Sequence, residues 1–155
     1  MIPQEVIALT AGAYYGYIGS RDEALVPTIV RFWGVDFRAS EDIAIFFIVA
    51  GQGEQTLKNS QQNGCLAATF TSWPDFQSYQ LKGQFLQARA MSEEERTFQR
   101  QYRIQPIEVG VTEFGLPEEV AERYVHQTDL AIEIKIEKIF NQTPGPGAGK
   151  MLALI

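Results

Sequence analysis

A chain of 155 residues, 45% hydrophobic and 21% charged, has the size and ordinary globular composition of one domain with a single core. Its 19 acidic against 13 basic side chains leave a net charge of −6, which opposes a nucleic-acid backbone, and the lone cysteine, Cys65, excludes an internal disulfide framework or a cysteine-cluster metal site. The longest apolar run, residues 43–50, is too short to span a bilayer and no signal segment opens the chain, so a cytoplasmic protein with neither membrane nor nucleic-acid partners is expected.

In chain order, Tyr14–Gly19 reads as a strand, and the polar turn Ser20-Arg21-Asp22-Glu23 leads into a second strand near Val26–Val35, the two forming a hairpin. Residues 36–42 are charged and turn-like. Ile43–Val49 is continuously apolar and rich in β-branched residues, as a strand buried on both faces would be. Gly51 and Gly53 break it, and Glu54–Gln62 reads as a short polar helix that Asn63-Gly64 closes with a left-handed cap. Leu66–Thr71 and Gln77–Arg89 are two further strands, joined by the aromatic loop Ser72–Phe76, in which Pro74 ends the first.

Helical signals follow. Ser92-Glu93-Glu94-Glu95 is a capping box for a helix reaching about Arg103, with Phe98 and Tyr102 as its inward stripe. Pro117 opens a second helix to His126, with Glu118 and Glu119 in its first turn. In the last strand, 131–140, Ile132, Ile134 and Ile136 take one face and Glu133, Lys135 and Glu137 the other, predicting a half-buried antiparallel strand with a bulge or an end at Lys138-Ile139. Two prolines and three glycines follow within residues 144–149. Apolar Met151, Leu152, Leu154 and Ile155 then resume, so the tail is expected to be an ordered loop that lays the C-terminus back on protein. Strands, a helical insertion and a returning strand make an α+β chain, and six strands with tight hairpins suit a small barrel.

Few residues carry chemistry. Strand period puts Ser78, Gln80 and Lys82 in one row, which is either a solvated outer face or a surface for a polar ligand. Arg31, flanked on its own face by Ile29 and Trp33, needs a fixed anionic partner, either a carboxylate such as Asp36 or Glu23 or a ligand phosphate. Gln55, Thr56 and Lys58, near the start of the short polar helix, are either hydrogen-bond donors and a charge for that phosphate or an ordinary polar surface. His126 is the only histidine, which leaves little material for a catalytic triad or a metal site, and Ser72 and Cys65 have no base at a recognisable spacing. No catalytic residue is assigned. Trp33, Trp73 and Phe76 are core or interface residues by default, with stacking on a planar ligand as the other reading.

The run Gln142-Thr143-Pro144-Gly145-Pro146-Gly147-Ala148-Gly149, together with Ser78–Gly83 and the opening strand-turn-strand to Arg31, resembles the pyridoxamine 5′-phosphate oxidase-like family of FMN-binding split barrels. The resemblance extends from about Met1 to Gly149. It implies one domain over 1–155, a split β-barrel of about six mainly antiparallel strands with short helices, and a Pro/Gly loop at 143–149. It also implies FMN as cofactor, a homodimer with small-molecule clefts at the subunit interface, and an oxidoreductase of unknown substrate. Family members hold the FMN phosphate with basic residues in the second strand and just after the third. Arg31 matches the first position. The second, Gln52–Lys58, departs from the family's serine-any-lysine pattern: Thr56 stands where the lysine is expected, Glu54 adds a negative charge and Lys58 comes two residues late. Ser78, Gln80 and Lys82 fall on the strand that runs along the flavin cleft, where Lys82 suits the ring or ribityl chain. No basic C-terminal motif for a substrate phosphate is present, so pyridoxamine phosphate oxidation itself is not expected. The alternative is a non-catalytic binding protein of the same fold that holds haem, a deazaflavin, another small molecule or no cofactor.

Overall fold

A computed structural model describes residues 1–155. Seven strands, β1 (Tyr14–Arg21), β2 (Pro27–Arg38), β3 (Ile43–Ile48), β4 (Cys65–Ser72), β5 (Ser78–Ala90), β6 (Leu130–Asn141) and β7 (Met151–Leu154), form one antiparallel sheet in the order β3-β2-β1-β4-β5-β6-β7. Because β3 also pairs with β6, the first six strands close into a barrel and β7 stays outside as an edge. The helices are α1 (Gln4–Leu9), α2 (Ala50–Asn63), α3 (Glu93–Tyr102), α4 (Ile104–Thr112) and α5 (Glu118–Tyr124). This is the α+β split barrel that the strand pattern and the resemblance imply.

Period-2 alternation builds the barrel interior. Tyr14 and Ile18 of β1, Val30 and Phe32 of β2, Phe70 of β4, Leu81 of β5 and Ile132, Ile134 and Ile136 of β6 point inward, while Ile2, Val6 and Leu9 of α1 join the same core. β3 is buried throughout, for the reason its composition suggests: Ala44, Phe46 and Ile48 face the interior, and Ile43, Ile45 and Phe47 pack outside it with Met91 and Ala131.

Several expectations are corrected. The charged segment 36–42 is not all turn, because β2 runs to Arg38 before a 3-10 turn at Ala39–Glu41. Gly51 and Gly53 do not break the chain but lie inside α2, which begins at Ala50; a Cβ at Gly53 would come within 2.4 Å of Ile48 Cδ1, so the glycine is what lets the helix approach β3. The Gly64 cap is present, with φ +72°. Ser92 and Glu95 form the capping box; Phe98, 37% exposed, packs against Phe47 on the outside of the barrel, while Gln99 is the buried residue of α3 and Tyr102 packs on the core. α1, α4 and β7 are additional elements, and α5 stops at Tyr124.

The sharpest correction concerns Glu133. Assigned to the wet face, it is 3% exposed. Arg89 Nε donates to its Oε1 at 2.7 Å, Arg38 Nη2 lies 3.3 Å from the same oxygen, and Gln87 donates to Oε2 at 3.1 Å, while Arg89 also makes two bonds to Glu95 of α3. The network ties β2, β5 and β6 to the helical insertion. The alternation break near Lys138 is a bulge: Lys82 and Gly83 oppose Lys138 and Ile136, leaving Glu137 as the extra residue, and β6 continues to Asn141.

The tail is ordered through its backbone. Gly149 N donates to Asn141 O at 2.7 Å, Asn141 N to Lys150 O at 2.9 Å and Ile155 N to Glu137 O at 2.8 Å, so the Pro/Gly loop returns the chain to β6 as β7. Removing residues after Thr143 is expected to lower the unfolding free energy by roughly 3 kcal/mol, since each of the three lost backbone bonds is worth about 1 kcal/mol net. Thermal melting checks this, and an unchanged melting temperature would mean that β7 adds no stability.

Candidate functional site

The outside of the barrel carries two adjacent rows that the strand registers define. In one, Arg31 of β2 opposes Tyr17 of β1, Tyr17 opposes Thr69 of β4, Thr69 opposes Gln80 of β5 and Gln80 opposes Phe140 of β6. In the next, Ile29, Gly19, Ala67, Lys82 and Lys138 follow the same order. Alternation forces these side chains outward because their neighbours Val30, Ile18, Ala68 and Leu81 fill the core. The middle of this face is built of Gly, Ala and Thr, with aromatic and cationic groups at its edges.

Arg31 is enclosed by aromatic rings. Its guanidinium lies 3.8 Å from the Trp33 ring centroid, 5.1 Å from Tyr124, 5.2 Å from Tyr15 and 6.0 Å from Tyr17, and Nη1 donates to the Tyr124 hydroxyl at 2.9 Å. Neither Asp36 nor Glu23 pairs with it: none of the six ion pairs includes Arg31. Arg31 Nε and Trp33 Nε1 are both buried without a hydrogen-bond partner. Trp33 reaches this place through a bulge in β2, where Trp33 and Gly34 lie between the Phe32–Ile48 and Val35–Phe46 pairs, and Gly34 has φ +138°. Burial pushes the Tyr15 phenol above its ordinary range, with Tyr124 adding to the shift and Arg31 opposing it. Beneath the box lies a small apolar cavity of about 40 Å³, bounded by Tyr15, Arg31, Phe114, Leu116 and Tyr124.

The remaining sequence-derived residues separate into three groups. Ser78 and the tail motif come together: Gln142 N donates to Ser78 O at 2.8 Å and Ser78 N to Thr143 Oγ1 at 3.0 Å, while the Ser78 hydroxyl is paired with Thr71 Oγ1 and Phe76 O. Gln80 donates to Thr69 Oγ1 at 3.1 Å, and Lys82 Nζ lies 5.0 Å from the Phe140 ring centroid. On α2, Gln55 bonds Asn59 and stays exposed with Lys58, but Thr56 is 1% exposed and its enclosed hydroxyl has no partner. The start of α2 is already engaged, since Ala50 N donates to Asp129 Oδ1 at 2.8 Å.

His126 stands beyond α5, exposed, with its ring edge-on to Trp33 at 5.4 Å. Trp73 packs against Phe76 and Phe114. The reading from sequence missed Tyr15 and Tyr17 around Arg31, and Asp129 at α2; Tyr124, with His126 and Gln127, is a position where the resemblance implies residues facing a cofactor or partner subunit, but its bond to Arg31 is not foreseen. Period 2 in β1 could have placed the two tyrosines outward; Tyr124 and Asp129 meet their partners only in three dimensions. No three His, Cys, Asp or Glu side chains are grouped to hold a metal ion, and no helix is long and apolar enough to cross a membrane.

Among solved structures, HupZ of Group A Streptococcus superposes with a TM-score of 0.59 at 18% identity, covering 96% of this chain and 100% of that one. A candidate pyridoxamine 5′-phosphate oxidase of Lactobacillus delbrueckii gives 0.55 at 12% identity, covering 90% and 93%. An FMN-binding protein of Syntrophomonas wolfei gives 0.51 at 11%, covering 86% and 80%. No family model and no curated protein sequence matches. The chain therefore has the split-barrel fold of the pyridoxamine 5′-phosphate oxidase-like FMN-binding proteins.

Proposed function

We propose that the chain binds FMN in a cleft between two copies of itself and acts as a flavin-dependent oxidoreductase of unassigned substrate. Arg31 carries this reading: a guanidinium with a free, buried Nε, no carboxylate partner and aromatic walls is suited to an anionic group on a planar ligand. Arg31 would hold the phosphate, with Gln55 and Lys58 from the exposed side of α2. Tyr17, Thr69, Gln80 and Lys82 would border the ring and ribityl chain. FMN would supply the redox chemistry, and these residues its orientation. Exposed Tyr17, Ile29 and Phe76 support a second copy as the cover of this face.

Visible absorbance of the purified protein, with mass identification of any released cofactor, is the direct test, and light scattering at micromolar concentration tests the dimer. Arg31→Ala is expected to weaken FMN binding tenfold to about a hundredfold, the range of a lost charge-assisted hydrogen bond of about 1.5–3 kcal/mol, and to leave riboflavin nearly unaffected. Equal losses for both ligands in fluorescence-quenching titrations would reject the phosphate role.

A second reading has its own support. Where the family places a lysine, α2 offers the enclosed Thr56, and the carboxylates of Asp129 and Glu54 lie at and near its start. That environment suits a non-catalytic binding protein for haem, a deazaflavin or another small molecule. Absence of FMN binding by the wild-type protein would favour it.

A further inference from the structure

At the end of the outer face away from Arg31, β1, β4, β5 and β6 form an open groove of about 490 Å³. Arg21, Lys82 and Lys138 line it, with one carboxylate, Glu137, and a floor that includes Gly19 and Ala67. The excess of two positive charges stands on a chain whose net charge is −6. None of the four charged side chains takes part in an ion pair. Lys82 and Lys138 are direct cross-strand partners, an arrangement in which like charges destabilise a sheet, and Lys82 leans toward Phe140. The bulge at Glu137 distorts β6 beside Lys138. A fold gains nothing from two opposed, unpaired lysines, whereas a dianion placed between them would remove the repulsion.

We propose that this groove binds the phosphate group of a small phosphomonoester. The local charge of +2 matches a dianionic phosphate, the volume falls within the range of small-molecule sites, and the Gly19 and Ala67 floor leaves room for the body of the ligand. With only three cations on an acidic chain, a polynucleotide is a poor fit. The site is distinct from Arg31. Three strand spacings of about 4.8 Å put roughly 14 Å between the backbones that carry Arg31 and Lys82, and the Arg31 guanidinium is held against Trp33 and Tyr124, outside the groove's lining. The groove shares Lys82 with the proposed flavin face, so phosphate here and a flavin ring against Lys82 are competing occupants, and the flavin arms of the test separate them.

The test titrates the full chain with inorganic phosphate, followed by amide NMR shifts, against sodium chloride of equal ionic strength. Saturable shifts centred on Gly19, Ala67 and Lys138 are expected, with at least tenfold weaker binding in the K82Q/K138Q variant and retained binding in K82R/K138R. Without phosphate, K82Q and K138Q should each melt at or above the wild type, because each relieves the opposed charges. FMN displacing phosphate from these residues, where riboflavin does not, would identify the cofactor's phosphate as the occupant; failure of FMN to do so would point to a separate phosphorylated ligand. Absence of shifts beyond those with chloride, shifts centred elsewhere, or unchanged affinity in K82Q/K138Q would each overturn the site. So would unchanged phosphate binding combined with lost self-association in K82Q/K138Q, which would show that the lysines meet carboxylates of a second copy.

Discussion

Glu133→Gln is expected to lower the unfolding free energy by about 3 kcal/mol, the low end for breaking a buried ion pair, because Arg38 and Arg89 remain partly open to water. The variant keeps the size of the side chain and removes the charge, leaving Arg89 and Arg38 without the carboxylate that fixes them against β6. For a chain of this length each kcal/mol shifts melting by about 2–4 °C, so a drop of roughly 6–12 °C follows. Burial alone would raise the Glu133 carboxyl, but hydrogen bonds from Gln87 and Arg89 and the charges of Arg38 and Arg89 outweigh it and hold the group below its ordinary value of 4.5. The Arg89 hydrogen bond likewise lowers Glu95, and the same bond raises Arg89. A depressed carboxyl contributes stability that is complete above the unfolded pKa and disappears as pH falls through the folded one. The difference between wild type and Glu133→Gln should thus be full at neutral pH and close well below pH 4.5. Urea unfolding at the two pH values decides it; a gap that persists in acid would show that the loss comes from packing and not from charge.

Gly83→Ala should cost about as much, near 3 kcal/mol at the upper end of overpacking, for a backbone reason. A Cβ at this position would lie 2.0 Å from Lys135 O and 2.9 Å from its carbonyl carbon. Neither atom can rotate away, so β5 and β6 would have to separate beside the bulge at Glu137, within the longest strand pairing of the barrel. Gly51→Ala is the control: the residue lies inside α2 with nothing within 4 Å of the place its methyl would occupy, and alanine there should be neutral or stabilise by up to about 1 kcal/mol. Denaturant midpoints for the two variants should move apart. Equal midpoints would show that the seam between β5 and β6 accommodates a methyl group by relaxing.

Strands announce themselves in this chain because burial on a pleated sheet imposes a period of two, and that period needs no knowledge of partners. Ile132, Ile134 and Ile136 declare a core face in β6, Ile43–Ile48 declares a strand covered on both sides, and Ser92 with Glu95 declares the start of α3, since each signal arises among residues close in sequence. Glu133 obeys the same period yet is buried, because Arg38, Gln87 and Arg89 arrive from strands up to 95 residues away. Arg31 was recognisable as a cation needing company, but the company came from Tyr124, 93 residues on, as an aromatic box and not as a carboxylate. The same is true of Lys82 and Lys138, whose opposition exists only once β5 and β6 pair with a bulge. Local periodicity and capping are written into neighbouring residues, whereas charge neighbours depend on strand order and register, which only the closed barrel sets.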